Sequence, residues 1–161
     1  MTQIKITTTI KAPIEIVFDT CRNIDIHQYS ASKTNEKAIG GRTSGLINKG
    51  ETVTWKGKHF GIYIQHESKI SEMDFQNYFV DEQLKGHFKN FKHEHIFKQK
   101  ENETIMTDIL DYETPVGFVG KLFDKLLLEN HLTKFIIHRN IILKELSENH
   151  QHQPPQNRNT F

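Results

Sequence analysis

The sequence is short of several things, and each shortage removes a class of protein. It has one cysteine in 161 residues, Cys21, so there is no intrachain disulfide framework and a reducing compartment is expected. It has no excess of either charge: Lys+Arg 21 against Asp+Glu 20 leave a formal +1. No general field draws such a chain to nucleic acid or to an anionic membrane. No apolar run approaches the ~18 residues of a membrane span, and MTQIKITTTIKAP lacks the charged and apolar regions of a secretory leader. The expectation is a soluble, cytoplasmic protein with no nucleic-acid partner and no stable membrane insertion. No internal repeat is visible, and the length suits one domain with a real core.

Two residue types are plentiful. Phe 11 against Trp 1 gives the chain many rings that line apolar space without needing a hydrogen-bond partner. His 10 places titratable groups that gain charge just below neutrality.

The chain divides by periodicity. Gln3–Ile10 alternates as a half-buried strand with Ile4, Ile6, Thr8 and Ile10 on one face. Pro13 opens a short helix to Arg22, with Ile14, Val17, Phe18 and Cys21 at helical spacing, so Cys21 reads as a buried structural thiol. Asn23 or Asp25 caps a second short helix ending near Tyr29. Lys33–Ile39 is a weak strand, and Gly40-Gly41-Arg42-Thr43-Ser44-Gly45 is a glycine-rich turn. That turn lacks the GK[ST] ending and following helix of a phosphate loop, so it reads as a mobile connection between strands.

Glu51–Lys56 is expected as a strand, Gly57-Lys58 as a turn, and His59–Ser71 as a strand facing inward at Phe60, Ile62, Ile64, His66, Ser68 and Ile70. Met73-Asp74 turns into a strand from Phe75 to Leu84, and Lys85-Gly86 turns again. From Phe118 to about Asn149, Phe118, Leu122, Leu126, Phe135, Ile136, Leu143 and Leu146 suggest one long helix of roughly 40 Å or more at ~1.5 Å per residue. The domain is expected over 1–148. Residues 149–161, with no apolar pattern and two prolines, are expected as a disordered polar tail.

The most informative stretch is Phe88–Tyr112. A two-residue turn at Glu101-Asn102 pairs Lys100 with Glu103. Phe97 then faces Met106, His95 faces Asp108, His93 faces Leu110 and Phe91 faces Tyr112, all on one side of the hairpin. An apolar face carrying His93, His95 and Asp108 is a candidate ligand pocket. A carboxylate fixing one imidazole nitrogen leaves the other to move a proton, which suits enolisation, dehydration or activation of water. The plainer alternative is that Asp108 satisfies a buried His95 and the pair specifies register or recognises a ligand's polar group. His93-x-His95 with Asp108, and Glu51 or Asp81 nearby, has ligand types that a metal accepts, but HxH on a strand is weak, and no metal or cofactor is assigned.

The element order, AxxxxVF at Ala12–Phe18 and the long terminal helix resemble the helix-grip fold of the START-like (SRPBCC) superfamily. That group includes birch-pollen-type plant allergens, START lipid-transfer domains, coenzyme Q-binding proteins and aromatase/cyclases. GRTSGL (41–46), ETVTW (51–55), HFG (59–61), FKHEHIF (91–97) and MTD (106–108) look like a bacterial subgroup often labelled ligand-binding or cell-division-inhibitor-like. The resemblance implies an α+β fold: a curved antiparallel sheet of six or seven strands wrapped around the C-terminal helix, with an apolar cavity between.

The expected function is a carrier or sensor for a hydrophobic or amphipathic small molecule. Its expected lining is Trp55, Phe60, Ile62, Ile64, Phe79, Phe91, Phe97, Met106, Leu110 and Tyr112, closed by Phe118, Leu122 and Leu126. His93, His95 and Asp108 would meet the ligand's polar end, which His66 and Gln83 on the inner face make more amphipathic than lipidic. The alternatives are a cyclase/dehydratase-like enzyme with His95 and Asp108 as acid/base pair, and a regulatory interaction protein. Oligomeric state is not written in the sequence.

Overall fold

Alternation along each strand decides which residues face the interior, and one antiparallel sheet carries them all. A computed structural model describes residues 1–115 and 117–149, except the side chains of Phe118 and Val119. The strands are β1 (Thr2–Ile10), β2 (Lys37–Gly41), β3 (Thr52–His59), β4 (Ile62–Asp74), β5 (Tyr78–Lys85), β6 (Asn90–Lys100) and β7 (Glu103–Glu113). They pair in the order β1-β7-β6-β5-β4-β3-β2. Two short helices follow β1: α1 (Ile14–Cys21) and α2 (Ile24–Ser30). The C-terminal helical run comprises α3 (Gly117–Phe123), a π-helical turn (Asp124–Leu128) and α4 (Glu129–Glu148). This is the helix-grip α+β arrangement. The remainder of the expected tail, from His150, lies outside the described residues.

Asn23 is the cap of α2: its side-chain oxygen accepts the amides of Asp25 at 2.9 Å and Ile26 at 3.3 Å. The glycine-rich turn is anchored rather than loose, because Asp25 Oδ2 accepts the Gly45 amide at 2.8 Å and Ile24 N donates to Gly45 O at 2.9 Å. β2 begins later than the sequence suggests, since Ser32–Thr34 form a 3-10 turn and Asn35 takes a left-handed φ of 50°. Glu51 lies outside β3 and pairs with Arg42 at the rim.

The β3–β4 turn corrects another expectation. It falls at Phe60-Gly61, both with positive φ (51° and 82°), and His59 faces Ile62 across it. A two-residue turn with both φ values positive matches strand twist, and Gly61 adopts it freely. Gly57 is instead a buried strand residue: a Cβ there would meet His59 Nε2 at 3.4 Å and Glu36 Cβ at 3.5 Å. Glycine here lies inside a strand, opposite Ile64, and not at a turn. β4 likewise runs on through Met73 and Asp74, and the chain reverses after it.

The β6–β7 register is the expected one throughout, from Lys100 opposite Glu103 to Phe91 opposite Tyr112. Glu101, rather than Asn102, takes the left-handed conformation, at φ 53°. Inward residues of β5 and β6 meet α1: Phe18 is wholly buried and packs edge-on against Phe79 and Phe97 at 5.7 and 5.2 Å. Ile136 of α4 meets Leu110 and Tyr112, while Leu143 and Leu146 join the larger cluster around Phe18.

Candidate functional site

Between the inner face of the sheet and the C-terminal helices lies a cavity of about 670 Å³. Trp55, Phe60, Ile62, Ile64, Phe79 and Phe91 line it, with His93, His95 and Leu110. Phe60, Ile62 and Phe123 are lining residues that also face solvent, and Phe60 and Phe123 approach to 5.4 Å. The β3–β4 turn and α3 thus meet at a solvent-facing edge of the cavity.

Several residues expected in the lining stand elsewhere. Phe97 and Met106 are buried in the core around Phe18, beyond the cavity wall. Tyr112 is fully buried and donates its hydroxyl to Asp124 Oδ1 at 2.5 Å. Leu122 and Leu126 face solvent, 50% and 65% exposed. The reason is helical phase: Leu126 and Phe135 are nine residues apart, about two and a half turns, and so on opposite faces. The set in phase is Leu128, Leu132, Phe135, Ile136 and Arg139, all of which line the cavity. The Phe118 side chain lies outside the described residues.

Asp108 is 1% exposed and sits behind the two histidines. Its Oδ1 lies 3.0 Å from His93 Nε2, 2.8 Å from His95 Nδ1 and 3.0 Å from Arg139 Nη2; Oδ2 accepts Asn140 Nδ2 at 2.6 Å. Two bare lone pairs would repel at 2.8 Å, so the His95 proton belongs on Nδ1 and Nε2 is its acceptor. With Nδ1 protonated, the 3.3 Å approach of Arg139 Nη2 is a contact and not a second hydrogen bond. Phe79 stacks on His95 at 4.3 Å, and Cys21 Sγ lies 3.7 Å from Nδ1.

Electrostatics follow from burial. Desolvation pushes the His95 pKa well below its usual value, with His93 adding to the effect and Asp108 opposing it, so His95 is neutral at pH 7. Burial would raise Asp108, but the Arg139 charge and hydrogen bonds from His93 and His95 hold it well below the usual carboxylate range. Burial pushes the Cys21 thiol up to about 12, which leaves it protonated and inert. His93, His95 and Asp108 offer three metal-ligating atoms within 4.8 Å. The Arg139 guanidinium, at 3.0 Å from the same Asp108 oxygen, already neutralises that carboxylate and would repel a divalent ion placed there.

The strongest feature missed by sequence reasoning is a second polar cluster. Glu36, only 4% exposed, lies 3.0 Å from His27 Nε2, and His27 stacks on Trp55 at 4.2 Å. His59 Nδ1 and His131 Nε2 are 3.0 Å apart. Burial lowers the pKa of His59, His66 and His131. It would raise that of Glu36, but the His27 hydrogen bond and the nearby histidines hold it down. Seven of the ten histidines, at 27, 59, 66, 87, 93, 95 and 131, line this one cavity, so it cannot be a uniformly greasy space. The sequence signal for Arg139 is its helical spacing with Leu132 and Ile136, which does not reveal its partner; Glu36, just before β2, left no periodic signal.

No protein-family profile and no curated protein matches this sequence. Solved structures do match its fold. A protein from Thermus thermophilus superposes with a TM-score of 0.76 at 15% identity, over 93% of this chain and 99% of that one. Ginseng major latex-like protein 151 from Panax ginseng gives 0.68 at 13% identity, covering 91% and 97%. A START superfamily protein from Mycobacterium smegmatis gives 0.68 at 12% identity, covering 92% and 99%. The chain therefore has the START-like helix-grip fold, as its sequence motifs led one to expect.

Proposed function

We propose that residues 1–148 form a binding domain for a hydrophobic or amphipathic small molecule, acting as a carrier or sensor. The observation that carries this is the cavity: about 670 Å³, walled by Trp55, Phe79, Phe91, Leu132 and Ile136, with hydrogen-bonding side chains at a few points. Sites of roughly 300–1,000 Å³ built this way bury most of a drug-sized ligand. Burying ~150 Å² of apolar surface on each partner at about 25 cal/mol/Å² contributes several kcal/mol before ordering costs, which suits micromolar binding. No helix among the described residues is long and apolar enough to cross a membrane.

Native mass spectrometry of protein purified from its own host tests the reading. A non-covalent small molecule of stoichiometric mass is expected. Protein that carries none, and takes up none from an extract of the same cells, counts against a carrier.

A cyclase/dehydratase-like reaction is the second reading, favoured by the 2.8 Å contact of His95 with Asp108. It is the weaker one, because a general base works best with a pKa near the operating pH, and burial moves His95 well below that. Asp108 is also shared among His93, His95, Arg139 and Asn140 rather than reserved for one imidazole. The third expectation, a regulatory interaction protein, has no specific observation in its favour.

A further inference from the structure

The polar groups around the cavity gather in two sets toward two ends, with Asp81 of β5, opposite His93 in the sheet, between them. The first is His93, His95 and Arg139, on β6 and α4. The second is Glu36, on the approach to β2, with His27 of α2, His59 of β3 and His66 of β4. β6 and β3 are three strands apart in the sheet, about 14 Å of arc at ~4.8 Å per strand. Phe79, Ile70, Leu132 and Ile136 line the space between.

Each set mixes donors with acceptors, and neither holds an unpaired cation. In the first, His95 Nε2 is an acceptor, and the Arg139 Nε–H is buried with no partner among the described residues, though the guanidinium charge is matched by Asp108. In the second, Glu36 accepts, and the imidazoles of His59 and His66, which burial disfavours charging, each bring one donor and one acceptor. Arg22, the other arginine in the lining, is taken by Asp19 Oδ1 at 2.8 Å and Asn48 Oδ1 at 2.8 Å. Between the sets, Asp81 Oδ1 is buried without a partner among the described residues.

A carboxylate ligand only accepts and would find no free counter-charge at either set. An ammonium only donates: at the first set it would meet the Arg139 charge and leave the buried Nε–H unmatched, and the open carboxylate oxygen within its reach is that of Asp81, between the sets. A hydroxyl does both. Leaving a buried donor or acceptor unmatched costs more than a good hydrogen bond gains, so the mixture discriminates.

We propose that the cavity is a two-ended site for an uncharged, flat or elongated amphiphile bearing a hydroxyl at each end, one received by His95 and Arg139 and the other by Glu36 with His59 and His66. This rests on the binding-protein reading and adds the chemical class of the ligand.

Four probes on one rigid skeleton test it: trans-stilbene with a phenolic hydroxyl at both ends, with one at a single end, and with a carboxylate or an aminomethyl group replacing that single hydroxyl. Fluorescence titration and calorimetry at pH 7.5 give their affinities for wild-type protein. The diphenol should bind about tenfold tighter than the monophenol, the effect of one well-made hydrogen bond, and the carboxylate about tenfold weaker than the monophenol. In Glu36→Gln the diphenol's advantage should shrink while monophenol affinity holds, with circular dichroism checking the fold. The wild-type comparison stands even if that variant does not fold. Equal affinity for diphenol and monophenol, or a carboxylate or amine that binds as well as either, overturns the two-ended site and leaves the carrier reading standing. No binding of any probe overturns both.

Discussion

Asp108 concentrates the tightest electrostatics of the molecule on one carboxylate. Oδ1 takes Arg139 and two imidazoles, Oδ2 takes Asn140, and Asn140 reaches on to Thr8 Oγ1 at 3.2 Å. The hub ties α4 to β1, β6 and β7 at one point. A buried ion pair of this kind stabilises little against an apolar replacement, but breaking it by removing one partner leaves an uncompensated charge. Asp108→Asn should therefore lower stability by about 3 kcal/mol, read as a fall in the urea midpoint, because Arg139 stays buried and charged. A loss below about 1 kcal/mol would mean that Arg139 finds water or another partner. The pair His95–Asp108 was legible from strand register alone. Arg139 and Asn140 were not, because their approach depends on how α4 lies across the sheet.

At the scale of elements, the β6–β7 hairpin and the terminal helical run teach opposite lessons. The hairpin register was readable because period two and a two-residue turn leave one solution, and it places every pair as expected. The helix face was misread because apolar residues occur all round α3 and the π turn: Leu122, Leu126 and Leu127 are exposed, while Leu128 and Leu132 are buried. The terminal run thus has its phase set by the cavity and core side from Leu128 onward. Truncating Leu132 to Ala should cost about 2–5 kcal/mol, the range for a buried leucine. Leu126→Ala should fall within about 0.5 kcal/mol of wild type, as an exposed position does. Thermal melts of the two variants distinguish them, and equal losses would place Leu126 in the interior after all. The Phe60-Gly61 turn was missed for a similar reason. Two glycines, Gly57 and Gly61, compete as turn markers, and only the packing of Glu36 against Gly57 shows which is a strand residue.

For the whole molecule, the histidine-lined cavity predicts a pH dependence with a definite sign. His59, His66, His95 and His131 have folded-state pKa values below the ordinary histidine value of 6.5. Between 6.5 and their folded values the unfolded chain binds more protons than the folded one, so stability rises with pH there. Glu36 and Asp108, also lowered, act with the same sign at more acid pH. Stability should be level above about pH 7 and fall steadily as pH drops below about 6.5. Denaturant unfolding at pH 7.5, 6 and 5 checks this, and a midpoint that stayed constant or rose on acidification would contradict it. Ligand release on acidification should accompany the loss, since charging imidazoles inside an apolar space disfavours an uncharged guest.

The sequence by itself determined the order of elements, the single sheet, the hairpin register and the presence of His93, His95 and Asp108 on an inward face. These follow from local periodicity and turn chemistry, which act over a few residues. Only the tertiary structure decided that Glu36, His27, His59 and His66 gather beside Trp55, that Arg139 neutralises Asp108, and which helix face closes the cavity. Those side chains come from segments far apart in the chain, and no short-range pattern carries the angle at which a helix crosses a curved sheet.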